Sequence, residues 1–345
     1  DYSTGAEAFL LEPQSTNLIT QSELFSDSSW SKPDTIATSG VVSPSGDASA
    51  FNLLNDNATN QAYTNVNIAV TATNNYTFSA FIKKGNVRYV ALANLNPFTL
   101  TYFDLENGIA LGSTSISSSI KDYGNGWFRC SVETIADTTT KFCGIYLSEN
   151  GTSLLATAIP NGDGIKIWGA QLEQQSYATS YIPTSGASAT RNQELCNNAT
   201  PVINSEEGTL YAEIAALADD LTNRYLGLSD NSQSNRIAIG FTSAGANRIR
   251  LLITSGIGNY VDISYTVSNI TSNTKIAISY KLNDVSLWVN GLKVGADTSA
   301  VMPSGLSELN FDSGTGGSPF FGNTKDLKYY PKALADVQLE DLTTI

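Results

Sequence analysis

The stretch Ile276-Ala277-Ile278-Ser279-Tyr280-Lys281-Leu282-Asn283-Asp284-Val285-Ser286-Leu287-Trp288-Val289 decides the fold class. Ile276, Ile278 and Tyr280 alternate with Ala277, Ser279 and Lys281, and Val285, Leu287 and Val289 resume the alternation after the polar pair Asn283-Asp284. A period of two sends successive side chains to opposite faces of an extended strand, and a short polar step between two such runs is turn chemistry. The stretch therefore predicts a half-buried antiparallel hairpin.

The same pattern spreads outward from it. Tyr76, Phe78 and Ala80 alternate with Thr77 and Ser79, and Phe128, Cys130 and Val132 with Arg129, Ser131 and Glu133. Turn pairs punctuate the chain at strand-length intervals: Asn107-Gly108, Asn125-Gly126, Asn150-Gly151, Asn161-Gly162 and Asn290-Gly291. Many short strands with regular turns imply sandwiches or barrels, and 345 residues exceed the roughly 100–200 of one ordinary domain. The expected fold is all-β: two antiparallel β-sandwich (jelly-roll) domains with a short C-terminal helix.

Between Ile182 and Ser205 the alternation lapses into Pro183-Thr184-Ser185-Gly186-Ala187-Ser188-Ala189-Thr190 and then a polar run containing Asn197-Asn198, which reads as a linker. A new strand opens at Glu207-Gly208-Thr209-Leu210-Tyr211-Ala212-Glu213-Ile214. The expected domains are residues 1–196 and 197–345. The helix is expected over Lys332–Leu342, after Pro331, with Leu334, Val337, Leu339 and Leu342 mainly along one side.

Composition narrows the function. A net charge of −13 lacks the basic footprint that phosphate-backbone binding requires, so nucleic acid is not an expected partner. No run approaches the roughly 20 apolar residues of a spanning helix, so membrane insertion is not expected either. The chain opens at Asp1 in mid-pattern without Met, which reads as a processed product or a portion of something longer. Cys130, Cys143 and Cys196 show no C-x-x-C spacing. Cys130 and Cys143 flank the turn Asp137-Thr138-Thr139-Thr140, which leaves open a disulfide between them or two buried thiols.

Several segments together resemble a module of phage tail-fibre and other virion surface proteins, related to jelly-roll carbohydrate-binding modules. They are Leu10-Leu11-Glu12-Pro13-Gln14-Ser15-Thr16-Asn17-Leu18-Ile19, then Phe25 and Trp30, then Asp122-Tyr123-Gly124-Asn125-Gly126-Trp127-Phe128-Arg129-Cys130. Ile167-Trp168-Gly169-Ala170-Gln171-Leu172-Glu173 and Thr179-Ser180-Tyr181-Ile182-Pro183-Thr184 complete the set. This resemblance covers about residues 7–191. Residues 205–345 resemble the concanavalin-like, laminin G-like sandwich through Leu287-Trp288-Val289-Asn290-Gly291 and Lys325-Asp326-Leu327-Lys328-Tyr329-Tyr330 followed by Ala333-Leu334. The resemblance implies a virion-surface or extracellular setting, glycans on a cell surface as partners, other virion or fibre subunits as neighbours, and a homo-oligomer. It also implies calcium as the one candidate cofactor, with Asp219-Asp220, Asp230 beside Asn231, and Asp312 as available oxygens.

Catalysis is not expected. The chain has no histidine, which removes Ser/His/Asp and Cys/His arrangements. A hydrolase on a concanavalin-like scaffold would show E-x-D-x-E on one strand, but Tyr211-Ala212-Glu213-Ile214-Ala215 carries a single acid. The Q-I-H strand of similar lyases is absent as well. Trp30, Trp127, Trp168 and Trp288 would suit sugar stacking, yet each sits in a fold-signature segment where a large ring fills the core. Tyr123, on a turn-rich loop, is the better aromatic candidate. Arg224, Arg236, Arg248 and Arg250 fall in three successive expected strands, on what reads as the non-core face. A guanidinium fork binds carboxylate or sulfate in bidentate fashion, so this cluster is the expected site for an acidic or sulfated sugar. The competing reading is an ordinary solvated strand face.

Overall fold

The computed structural model describes residues 8–95, 98–196, 199–256 and 259–345. The chain divides into two compact units, one of Gln14–Asn192 and one that combines Asp1–Pro13 with Gln193–Ile345. The expected division at 196/197 therefore shifts at both ends: the first sandwich is an insertion in the chain of the second. Strand Phe9–Leu11 pairs antiparallel with Gly322–Tyr330, from Phe9↔Thr324 to Leu11↔Gly322, and Leu11 enters the second unit's core. Next to it the Glu12 N–H donates to Glu194 Oε2 and the Glu194 N–H donates to the Glu12 carbonyl, so the two passages of chain run side by side.

In the unit Gln14–Asn192 a six-stranded sheet runs in the order Ser117–Asp122, Trp127–Ile135, Asn75–Lys84, Gly164–Glu173, Ala50–Asn55, Thr35–Val41. A five-stranded sheet runs Tyr63–Ala69, Thr140–Ser148, Tyr89–Leu95, Thr99–Asp104, Ile109–Ser113. The alternation read from the sequence sorts the faces: Tyr76, Phe78, Ala80 and Ile82 from one sheet share a core with Val90, Leu92, Ile145 and Leu147 from the other, closed by Phe25 and Trp30. Cys130 and Cys143 lie in this core as free thiols, and burial pushes both far above the usual thiol range. The bridge left open by the sequence is not formed.

In the other unit the sheets run Phe9–Leu11, Gly322–Tyr330, Glu207–Ala216, Thr274–Lys281, Asp284–Val289, Leu292–Asp297, and Asn259–Thr266, Arg248–Ser255, Arg236–Phe241, Arg224–Ser229, Glu308–Asn310. The hairpin expected from the sequence is present, with Ile276↔Val289, Ile278↔Leu287, Tyr280↔Val285 and Lys281↔Asp284 in register. Asn283 adopts φ 56°, the left-handed conformation that asparagine tolerates best after glycine. Ala277 and Trp288 face the other way and are buried with Tyr211 under Leu339 of the helix.

That helix spans Asp336–Thr343, shorter than expected. Residues before it are tied to the sheet outside the helix, because the Leu334 N–H donates to Thr209 Oγ1 and Thr209 Oγ1 donates to the Lys332 carbonyl. Val337 is exposed rather than packed, since two residues along a helix rotate about 200° and Leu339 already points at the sheet.

Because Leu11 fills the second unit's core from a three-residue edge strand, Leu11→Ala should cost about 2–4 kcal/mol. Amide exchange should speed up in peptides from Gly322–Tyr330 and stay unchanged in peptides from Asn75–Lys84. A uniform change across both units would contradict the assignment of this strand.

Candidate functional site

The first unit's signature residues form a buried polar clamp. Asn17 is fully buried and uses both ends of its amide: Oδ1 accepts from the Ile19 and Leu172 N–H groups, and Nδ2 donates to the Ala170 and Ile182 carbonyls. Glu173, equally buried, accepts from Ser15 Oγ, from the Thr179 N–H at 3.0 Å and from the Thr179 hydroxyl. Arg129 donates to the Thr179 carbonyl and to Ser79 Oγ, with its guanidinium 5.3 Å from the Phe81 ring centre. Thr184 Oγ1 donates to the Ile19 carbonyl and accepts the Ser22 N–H. These bonds lay residues 179–184 against the outer face of the six-stranded sheet. Residues 182–191, read as linker from their polarity, are thus part of the first unit, and Ala189–Arg191 even pairs as a strand with Ser15–Asn17.

Under this segment lies an aromatic cluster. Phe81, Trp127 and Trp168 are buried with Tyr181 against them, the Phe81 and Trp168 ring centres 5.1 Å apart and Trp168 and Tyr181 4.6 Å apart. Tyr123 meets Phe81 edge-on at 4.8 Å and is the exposed end of the cluster. Trp30 and Trp288 are buried too, so all four tryptophans pack rather than present a ring face.

Beside the cluster opens a cleft of about 390 Å³, within the usual range for small-molecule sites, with Phe51 and Leu24 among its lining residues. Two partly buried hydrogen bonds tie its walls to the cluster: Tyr181 donates to Glu23 Oε1 at 3.0 Å, and Trp168 Nε1 donates to Ser49 Oγ at 2.8 Å. Burial pushes the Tyr181 hydroxyl well above its usual range, so it stays a protonated donor. Ser49 in turn donates to Asp47, whose carboxyl is held below its usual range by hydrogen bonds from Ser49 and Ser43. The side chains of Gln21, Ser39 and Ser185 line the cleft without a protein hydrogen-bond partner among the described residues. Sequence reading passed over these residues, because a polar side chain in a loop carries no periodic signal. The one pointer was that Thr179–Thr184 belongs to the signature.

The arginines expected to form one cluster separate. Arg224 shares its face with the core residues Leu226 and Leu228, is buried, and pairs with Asp220 at 2.7 Å. Its place at the start of Arg224–Ser229 puts it in step with the inward side chains. Arg236, Arg248 and Arg250 do share the outer face. Arg250 is taken by a bidentate pair with Asp262, at 2.8 and 2.6 Å, and lies opposite Gly240 as the turn predicts. Gly240 leaves no open space, since a Cβ there would sit 1.8 Å from the Arg224 carbonyl oxygen.

The carboxylates offered for calcium do not converge. Asp219 accepts the Asn247 N–H, Asp220 holds Arg224, Asp230 holds Ser232 and Asn235, and Asp312 caps the Gly314 N–H. Among the described residues no three acidic, histidine or cysteine side chains gather as a metal site would need, so these residues do not fit the ion.

No protein-family model and no curated protein matches the chain. Among solved structures it is similar to the Ruminococcus gnavus IT-sialidase CBM40 bound to alpha2,3 sialyllactose, at 17% identity and a TM-score of 0.35, over 40% of this chain and 83% of that one. It is also similar to domain 4 of AbnA, a GH43 extracellular arabinanase from Geobacillus stearothermophilus, in complex with arabinotriose: 17% identity, TM-score 0.36, 49% of this chain and 81% of that one. Domains LG4-5 of the mouse laminin alpha1 chain align at 11% identity and a TM-score of 0.29, over 79% of this chain and 88% of that one.

Asn17→Ala removes an amide that serves four buried backbone groups, so unfolding of the first unit should lose about 3 kcal/mol or more. Denaturant titration followed by tryptophan fluorescence reads this. A loss below about 1 kcal/mol would mean that water replaces the amide and that the clamp does not hold residues 179–184.

Proposed function

We propose that this chain is a non-catalytic glycan-binding adhesin, a homo-oligomeric component of a phage-like fibre or virion surface acting outside the cell, and that the cleft of the first unit takes a neutral sugar. The observation that carries the reading is the set of unpartnered side chains of Gln21, Ser39 and Ser185 beside the exposed Leu24. Sugar hydroxyls donate and accept together, and amide and hydroxyl groups answer both roles. Leu24, exposed at the cleft, offers apolar surface to the C–H face of a pyranose. Glu23 sets the preference: its carboxylate accepts hydroxyl protons and disfavours a second carboxylate next to it. The virion setting rests on the resemblance of the signature segments, whose polar members build the clamp behind this cleft. The absence of histidine supports a binding role over hydrolysis.

A glycan array on the purified chain should show binding to a neutral oligosaccharide. Gln21→Ala should weaken it about tenfold, the worth of one well-made hydrogen bond, without shifting the melting temperature. An array without binders would favour a purely structural virion module. Sustained release of reducing ends from the bound polysaccharide would instead make the chain part of a glycan-degrading enzyme.

A further inference from the structure

The first unit has a second opening, at the end of the sandwich away from the cleft. The cleft lies by Ser49 and Phe51, where strand Ala50–Asn55 begins. Where that strand ends, the Asn55 N–H donates to the Asp163 carbonyl, and beside Asp163 opens a cavity of about 250 Å³. Six residues at about 3.3 Å each put the two openings on the order of 20 Å apart. The cavity lies between residues 86–89 and the chain from Ser148 to Asp163.

Bonds within the protein already fix its walls. Gly85 and Gly164 let the two stretches lie back to back, since a Cβ on Gly85 would sit 2.3 Å from the Gly164 carbonyl oxygen. Gly151, at φ 73°, donates its N–H to the buried Ser148 hydroxyl and leaves room for the Tyr89 ring, whose Cδ1 a Cβ there would meet at 2.8 Å. Glu149 Oε2 accepts the Ala158 N–H at 3.0 Å, and Asp163 Oδ1 accepts from Asn86 Nδ2 at 2.6 Å. Each bond holds one atom of its side chain and leaves another free. Glu149 Oε1, Asp163 Oδ2, Asn86 Oδ1 and the Tyr89 hydroxyl have no protein partner among the described residues. Arg88 is spent on Asp104 and Glu106 and brings no free charge.

We propose that this cavity is a second glycan subsite, which takes a single neutral sugar residue by its adjacent hydroxyls. The spare groups are almost all acceptors, so the ligand must bring donors, and hydroxyls on neighbouring carbons bring two or more from one ring. Two carboxylates repel an acidic sugar. A calcium ion would ask for roughly 6–8 oxygens, and no third acid gathers with these two among the described residues. The cavity is smaller than the roughly 300 Å³ at which drug-sized sites begin, which limits the occupant to one ring, with the Tyr89 ring and Pro160 as its apolar sides. One unit then holds two sugar residues at opposite ends, and a glycan-covered surface engages both with an avidity that neither opening has alone. This inference rests on the glycan-binding reading for the choice of a sugar.

The test follows the backbone amide resonances of the full chain while the methyl glycosides of glucose, galactose and mannose are titrated in turn. At least one of them should shift amides in residues 86–89 and 148–163. Glu149→Gln keeps an oxygen for the Ala158 N–H but turns a donor toward the cavity in place of the free acceptor. It should weaken that response about tenfold and leave any response of residues 21–24 unchanged. Tyr89→Phe, which removes only the hydroxyl, should weaken it in the same direction and covers the case in which Glu149→Gln lowers the melting temperature. Equal binding by both variants and the parent would overturn the proposal. So would an equal shift of the same amides by ethanolamine, which would make the cavity a cation site, or silence of these amides toward all three sugars. If residues 21–24 respond and the cavity does not, this inference fails and the cleft reading stands. If the cavity responds and residues 21–24 do not, the cleft reading falls and this one stands.

Discussion

Much of the first unit hangs on one buried side-chain amide. Asn17 stands where three stretches of backbone meet without a sheet ladder to join them, and it supplies the two acceptor and two donor contacts that a neighbouring strand would have made. A peptide group left without partners in that position would cost more than the amide's own burial. Once Ile182 is fixed, Thr184 can bridge Ile19 and Ser22, and Tyr181 can reach Glu23. The walls of the cleft therefore inherit their positions from a residue that does not line it.

This arrangement explains which parts of the molecule were legible from the residues alone. Where burial is apolar and periodic, as in Ile276–Val289, the register follows from alternation, because a slip of one residue would turn the whole apolar set outward. Where burial is polar, the signal vanishes. Thr184, Ser22 and Asn17 look like loop chemistry, yet they are enclosed, and the stretch after Ile182 read as a linker for that reason. Arg224 shows a further limit. Its position at a strand start, two residues before Leu226, puts it inward by parity, but a charged residue suggests solvent, and only the Asp220 partner and the carbonyls of Ala218 and Thr222 make the inward place tolerable. The helix starts later than the apolar spacing suggests because Thr209, far away in sequence, ties Lys332 and Leu334 to the sheet.

The charge of −13 is spread unevenly in its effect. Around the cleft it appears as Glu23 and Asp47, both engaged by hydroxyl donors and so held in fixed directions. In the second unit Asp262 is spent on Arg250 on the outer sheet face, and Asp220 on Arg224 on the inner one. Net charge says little about either surface, since local pairing decides which groups still have capacity for a ligand.

The strand Phe9–Leu11 carries a consequence for synthesis. It leaves the ribosome before the inserted sandwich Gln14–Asn192, while its partner Gly322–Tyr330 leaves after it. Contacts between segments so distant along the chain form late, because the intervening chain must be closed into a loop first. The inserted sandwich Gln14–Asn192 has all its own strands available before the second unit does, so it can fold first and shorten the effective loop. Until then Phe9, Leu10 and Leu11 form a waiting apolar tab, and its shortness is protective: three residues offer little edge for a nascent neighbour to pair with. Translation speed across residues 193–345 should then govern how much of this chain reaches the native state in a crowded cell.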